Sequence, residues 1–363
     1  MSKYSIFLCS LLLLTACQSV EQLSIDYMIP ADISFPNSLR RVAVVNNMPV
    51  EYNNQNLGTK KEPQGDNLPE RIVHYYEGDG KRTAEALADA LADAEYFDEV
   101  VICDSALREK AAETPTEAIL STEQVNELTE ALDVDFLISL ENIQVNAIRK
   151  TSLRPEWGLY LGTVDVKVFP TVRVYLPNRR GAMVTLIGND SIYWEEAGQT
   201  EAQAHARLIS EKDMLQEASD FAGTVPVRQM LPYWQHAERY LFTGGSVNMR
   251  DAAVYAKEGD WEEAGKLWKQ VYDTKKGKQQ MFAAYNLALS YEMRDSIATA
   301  KEWVVRAELL ALPSGKTPQQ ELEEAMKEGR RSYYLLFTLY KEELQKREEG
   351  LSRLDMQMQR FNE

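Results

Sequence analysis

The sequence predicts an α+β chain: an N-terminal sheet with two covering helices, followed by an all-helical repeat domain. Three observations predict it. Up to residue 198, short β-branched runs alternate with segments of helical period. Between residues 164 and 195, apolar and polar side chains alternate in two stretches joined by a turn, and from residue 248 small and bulky side chains recur at a fixed interval.

At the start, Lys3 is followed by the apolar run Ile6 to Leu14, too short to stay as a membrane span, and then by Leu14-Thr15-Ala16-Cys17. This tetrad resembles the bacterial lipobox. The resemblance implies that 1–16 is a removable signal peptide and that the Cys17 thiol carries a diacylglyceryl group. Each buried methylene of an acyl chain contributes about 0.8 kcal/mol, so an acylated Cys17 would hold the protein on a membrane. Gln18, where an Asp would signal inner-membrane retention, makes the outer membrane the expected location, with its periplasmic face favoured over the cell surface. Residues 17–37, of mixed polarity with two prolines and no sustained period, are expected to be a tether.

Residues 38–198 form the expected sheet domain. Arg41-Val42-Ala43-Val44-Val45 reads as a buried strand, and 48–70, rich in Asn, Gln, Gly and Pro, as a long loop. Ala84, Leu87, Ala88, Leu91 and Ala94 fall on one face of a helix. A strand at Val100 to Cys103 follows, then a helix announced by the capping pair Ser121 and Gln124 and carried by Val125, Leu128 and Leu132. Phe136 to Val145 is a third strand. Val164 to Leu176 and Ala182 to Glu195, on either side of Pro177-Asn178-Arg179-Arg180-Gly181, predict an antiparallel hairpin with one wet face. The order of these elements resembles the small α/β domain of the TolB amino terminus and of the curli-secretion lipoprotein. The features that carry it are the Arg-Val-Ala-Val-Val strand, the Ala-Glu-Ala-Leu-Ala-Asp-Ala-Leu helix, and Asp133-Val134-Asp135-Phe136-Leu137-Ile138.

Residues 199–347 are expected to be helical throughout, including a helix opened by Pro232 and carrying Trp234, Ala237 and Leu241. Within it, Ala252, Tyr255, Ala264, Trp268 and Val271 align with Ala288, Tyr291, Ala300, Val304 and Ala307, each pair 36 residues apart. Small residues let two helices approach and aromatics fill the space beside them, so this register predicts stacked helical hairpins. The pattern resembles the tetratricopeptide repeat, over residues 248 to 313. Two units leave a helix face uncovered, so the helices before residue 248 are expected to stack on the first hairpin. A single helix from Pro318 to Arg347 is expected to cap the far end, and 348–363 to be a charged, frayed tail. Taken whole, with Pro232-Tyr233-Trp234 and Arg239-Tyr240, the chain resembles a family of uncharacterised Bacteroidetes lipoproteins.

The 363 residues carry 56 acidic against 40 basic side chains, a net charge of −16 that repels nucleic-acid backbones and anionic lipid. No catalytic, metal or cofactor site is expected. Glu77-Gly78-Asp79-Gly80-Lys81-Arg82 precedes a helix, but it has Tyr75 where a phosphate loop needs its first Gly and Arg82 where it needs Ser or Thr. His74, His205 and His236 have no ligand partners at metal spacing, and Cys103 reads as an apolar strand residue. Glu195 and Glu196 point to opposite faces of a strand. What remains is binding. Stacked hairpins hold other chains, and the residues expected to meet an envelope protein or peptide are Asn248, Arg250, Trp261, Tyr285 and Asn286. A glycan-binding lipoprotein is the alternative, since Trp234, Tyr240, Tyr255, Trp261, Trp268, Tyr272, Tyr285, Tyr291 and Trp303 crowd this half. Three or more of them on one exposed patch would favour sugar, whereas burial favours a protein partner.

Overall fold

The structure, a computed structural model, describes residues 19–48, 56–62, 71–103, 107–108, 119–330 and 332–361. Cys17 and the signal segment lie outside them. The chain divides into two compact units, one made of residues 1–30 and 233–356 and the other of 31–232 and 357–363.

Strand β1 (Val20–Ile29) belongs to the first unit. The second unit runs through β2 (Arg41–Asn46), β3 (Asn56–Glu62), β4 (Arg71–Glu77), α1 (Gly80–Asp93), β5 (Glu99–Cys103), α2 (Thr122–Leu132), β6 (Phe136–Arg154), β7 (Leu159–Tyr175), β8 (Val184–Ile187) and β9 (Asp190–Gly198). It continues with α3 (Glu201–Arg207), α4 (Glu211–Thr224) and the single turn α5 (Val227–Met230). Its sheet is mixed: β2 lies parallel between β5 and β6, and β6 pairs antiparallel with β4 and β7, which in turn carries β8 and β9.

The sequence explains why both faces of β2 are covered. Successive side chains of a strand point to opposite faces. Val42 and Val44 enter one core with Leu87 and Leu91 of α1, while Ala43 and Val45 enter another with Val125 and, partly buried, Leu128 of α2. Asp79 caps α1 by accepting from the N–H groups of Lys81 and Arg82, which is what the Gly-Asp-Gly stretch does here. Ser121 and Gln124 form the capping box of α2.

The first unit resumes with β10 (Tyr233–Phe242), which pairs antiparallel with β1 in a two-stranded ribbon. Then come α6 (Val247–Lys257), α7 (Trp261–Thr274), α8 (Lys278–Glu292), α9 (Ile297–Ala311), α10 (Pro318–Glu328) and α11 (Tyr333–Met358). Successive helices from α6 to α9 pack on one another. Of the ten side chains aligned at the 36-residue interval, the eight that are Ala, Trp or Val are all buried, in one core. The turns repeat as well. Gly259 and Asp295, again 36 apart, have positive φ of 83° and 55°. Beside them the Asp260 N–H reaches the Tyr255 carbonyl and the Ser296 N–H the Tyr291 carbonyl, each at 2.9 Å.

Several expectations are corrected. The tether contains β1, because Leu23, Ile25 and Tyr27 alternate with Gln22, Ser24 and Asp26 and so give a strand one apolar face. The 48–70 loop contains β3, paired with β4. The helix expected after Pro232 is strand β10. Helices α3 and α4, expected to stack on the first hairpin, belong instead to the second unit and pack on its sheet, with α4 on α1 so closely that a Cβ at Gly223 would lie 2.5 Å from the Thr83 carbonyl oxygen. The single C-terminal helix is broken where Gly329 ends α10 in the left-handed conformation. The frayed tail is instead the end of α11. There Gln357, 2% exposed, bonds the backbone of Ala31 and Ile33, and the Arg360 guanidinium lies 4.1 Å from the Tyr96 ring centroid.

Candidate functional site

The ribbon of the first unit has two edges, and the structure treats them differently. Thr243 N–H donates to the Ser19 carbonyl at 3.0 Å, directly opposite in register, which sets the phase of the ladder. Leu23, Ile25 and Tyr27 therefore bond β10, whereas Gln22, Ser24, Asp26 and Met28 turn their N–H and C=O groups the other way. By the same phase Tyr240 and Phe242 point away from β1.

The outer edge of β10 is closed by helix α8. Asn286 accepts from the Phe242 N–H at 3.1 Å and donates to its carbonyl at 2.8 Å, both through one amide. The Tyr285 hydroxyl accepts from the Tyr240 N–H at 3.4 Å. A buried strand edge must find partners for its backbone groups, and here side chains of a helix supply them. Arg250, at the position equivalent to Asn286, donates to the Gly245 carbonyl at 3.0 Å.

Arg239 anchors the same strand. Its guanidinium, 4% exposed, forms two bonds to Glu292, at 3.0 and 2.9 Å, and two to Glu343, at 3.0 and 2.7 Å. Arg347 pairs with Glu292, Tyr340 donates to Glu292 at 2.6 Å, and Tyr27 donates to Glu343. Two guanidiniums against two carboxylates make the cluster neutral, which a buried set of charges requires. Burial by itself would lower the Arg239 pKa, but Glu292 and Glu343 raise it above its ordinary range. Burial would raise Glu343, and Arg239 holds it below the usual carboxylate value. Burial, reinforced by the neighbouring glutamates, pushes the Tyr27 and Tyr340 phenols up, so both stay neutral donors.

The outer edge of β1 is open. It borders a groove of about 1090 Å³ lined by Ser24 through Pro30, by the turn between α8 and α9, and by α11 from Glu343 to Asp355, with Trp234, 68% exposed, beside it. Seven consecutive residues line it although alternate side chains point to opposite faces. The groove thus looks onto the backbone edge of the strand. Among the described residues no hydrogen bond reaches the outward backbone groups of Ser24, Asp26 or Met28. On the solvent face His236 Nδ1 meets Asp26 Oδ1 at 2.9 Å and its Nε2 lies 2.6 Å from the Ser24 hydroxyl. The Asp26 bond raises the imidazole pKa above 6.5.

The residues expected to meet a partner fare unequally. Tyr285 and Asn286 are adjacent at β10 but only 1% and 0% exposed, so they hold this chain's own strand and are closed to another. Asn248 is half-buried and bonds Gln270 at 3.0 Å. Arg250 is exposed. Trp261 is half-buried against the helical core, and its backbone carbonyl accepts from the Ser290 hydroxyl at 2.7 Å. Cys17 lies outside the described residues. Of the nine aromatics noted, Trp268, Tyr285 and Trp303 are buried and only Trp234 and Tyr255 are exposed. Strand β1 and the cluster of Arg239, Glu292 and Glu343 are not among the site residues expected from the sequence. Their one local signal was an Arg in the middle of the alternating stretch Tyr233 to Phe242.

Two family models match the chain. One, a domain of unknown function (DUF8603), covers residues 39–242, more than half of the chain. The other, a domain of unknown function (DUF6340), covers residues 250–346. No curated protein matches.

Proposed function

The chain belongs to the family defined by the domain of unknown function (DUF8603), and from that premise we propose a lipid-anchored cell-envelope adaptor that binds another protein or peptide without chemistry of its own. The observation that carries it is the ribbon. The helices of the first unit already grip one extended strand through backbone contacts, and the strand beside it presents an unbonded edge to a groove. An architecture that holds strands by their backbones is suited to receiving one more.

The repeated burial and turn geometry support reading α6 to α9 as tetratricopeptide-like hairpins. The open edge of β1, rather than the face closed by Tyr285 and Asn286, is the partner surface under this reading. The burial of Trp268, Tyr285 and Trp303 favours a protein partner over a glycan. Acylation of Cys17 would hold the chain at the outer membrane, facing the periplasm.

Two measurements test it. Cys17→Ser should abolish incorporation of radiolabelled palmitate and release the protein from the membrane fraction, and retention of both defeats the anchor. A photoreactive residue at Met28 should capture a discrete envelope protein in intact cells, while one at Leu309, 67% exposed on α9, should not. Absence of any adduct from Met28 defeats the adaptor reading.

A further inference from the structure

Edge strands in native sheets are usually blunted by Lys, Pro or a bulge, or covered, because a row of unpaired N–H and C=O groups recruits further strands. Strand β1, Val-Glu-Gln-Leu-Ser-Ile-Asp-Tyr-Met-Ile, has none of the first three within it, and its register with β10 runs unbroken from Val20 to Ile29. The other edge of the ribbon shows what closure looks like: a helix amide on Phe242 and a phenol on Tyr240. Among the described residues nothing covers Ser24, Asp26 and Met28 in this way. Residues of α11 from Glu343 to Asp355 line the same groove, and so does the exposed Trp234.

We infer that this groove receives an extended, basic segment of another protein, which adds to the ribbon as a third strand on β1. The inference rests on the adaptor reading above and names its partner's chemistry. The strand geometry follows from the outward phase of Ser24, Asp26 and Met28, since an added strand bonds to those groups in alternation. Basic character follows from charge: outside the neutral cluster of Arg239, Arg347, Glu292 and Glu343, four carboxylates (Asp26, Asp295, Glu349 and Asp355) and two cations (Lys346 and Arg353) line the groove, within a chain of net charge −16. Side chains alternate along an extended segment. One set faces α11 and its Glu343 to Asp355 stretch, and the other lies over the solvent face beside Asp26 and Trp234.

The probe is a fluorescein-labelled peptide, Lys-Val-Lys-Val-Lys-Val-Lys, titrated into the purified chain and followed by anisotropy. Saturable binding is expected. It should weaken by about tenfold or more when alternate amides on the pairing edge are N-methylated, since two or three hydrogen bonds are lost. The Glu-Val counterpart should bind more weakly still. Ser24→Pro removes an outward N–H while leaving every ladder bond to β10, and should weaken the Lys-Val peptide to a similar degree. If that variant misfolds, amide exchange in the unaltered protein decides: the peptide should slow the Ser24, Asp26 and Met28 amides. No binding overturns the inference. So does binding that is indifferent to N-methylation and slows none of these amides, which is attraction by charge alone. Capture from Met28 in cells combined with failure here would leave the adaptor standing and remove the added strand. Peptide pairing without any cellular adduct would do the reverse.

Discussion

Asn286 has no exposed surface and makes both of its main contacts to the backbone of one residue, Phe242. Truncating it strands a buried N–H and a buried carbonyl, each worth about 1–3 kcal/mol when unsatisfied. Asn286→Ala should therefore destabilise the protein by about 2–4 kcal/mol in urea denaturation, even though Ala suits a helix better. A loss under about 0.5 kcal/mol would mean that water replaces the amide. His236 makes a second prediction at this scale. Its neighbours are Asp26, Glu238 and Ser24, and Asp26 first of all raises its pKa above 6.5. A folded-state pKa raised above the unfolded value contributes stability that is fully present below about pH 6.5 and lost as pH rises through the raised value. An NMR titration of the imidazole should give a midpoint above 6.5, and Asp26→Asn should bring it down. A midpoint at or below 6.5 in the unaltered protein would contradict the Asp26 pairing.

At the scale of elements, the equivalence of the two hairpins is open to measurement through their turns. Gly259 and Asp295 hold the same position with positive φ, but only glycine does so without steric cost, about 1–2 kcal/mol for other residues and less for Asp. Asp295→Gly should stabilise the protein by about 0.5–1 kcal/mol. G259A should destabilise it by about 1 kcal/mol. Equal effects of one sign would mean that the turns are not equivalent. The elements also show where local sequence is informative. The 36-residue register was legible because neighbouring hairpins exchange contacts at short range, and the caps at Asp79 and Ser121 because capping is a matter of three or four residues. Strand β10 was not legible. Trp234, Ala237 and Leu241 fall at helical spacing, and Tyr233 to Phe242 fits a strand period equally well, so only a distant partner decides. That partner, β1, stands near the other end of the chain. The same distance hid Arg239, whose presence in a strand makes sense only beside Glu292 and Glu343.

At the scale of the molecule, the α+β organisation followed from patterns within the sequence, and the candidate site did not. Asn286 and Tyr285, the residues expected to contact a partner, contact a strand of the same chain instead. The site that remains is made by backbone, which carries no residue signature: any alternating sequence could supply Ser24, Asp26 and Met28 with outward amides. One edge of the ribbon is closed by α8 and, among the described residues, the other is open. Residue-resolved amide hydrogen exchange on the purified protein tests it most directly. The amides of Leu23, Ile25 and Tyr27, and those of Tyr240 and Phe242, should exchange slowly, while Ser24, Asp26 and Met28 exchange fast, in strict alternation along β1. Uniform protection along Leu23 to Met28, or fast exchange at Phe242, would contradict it.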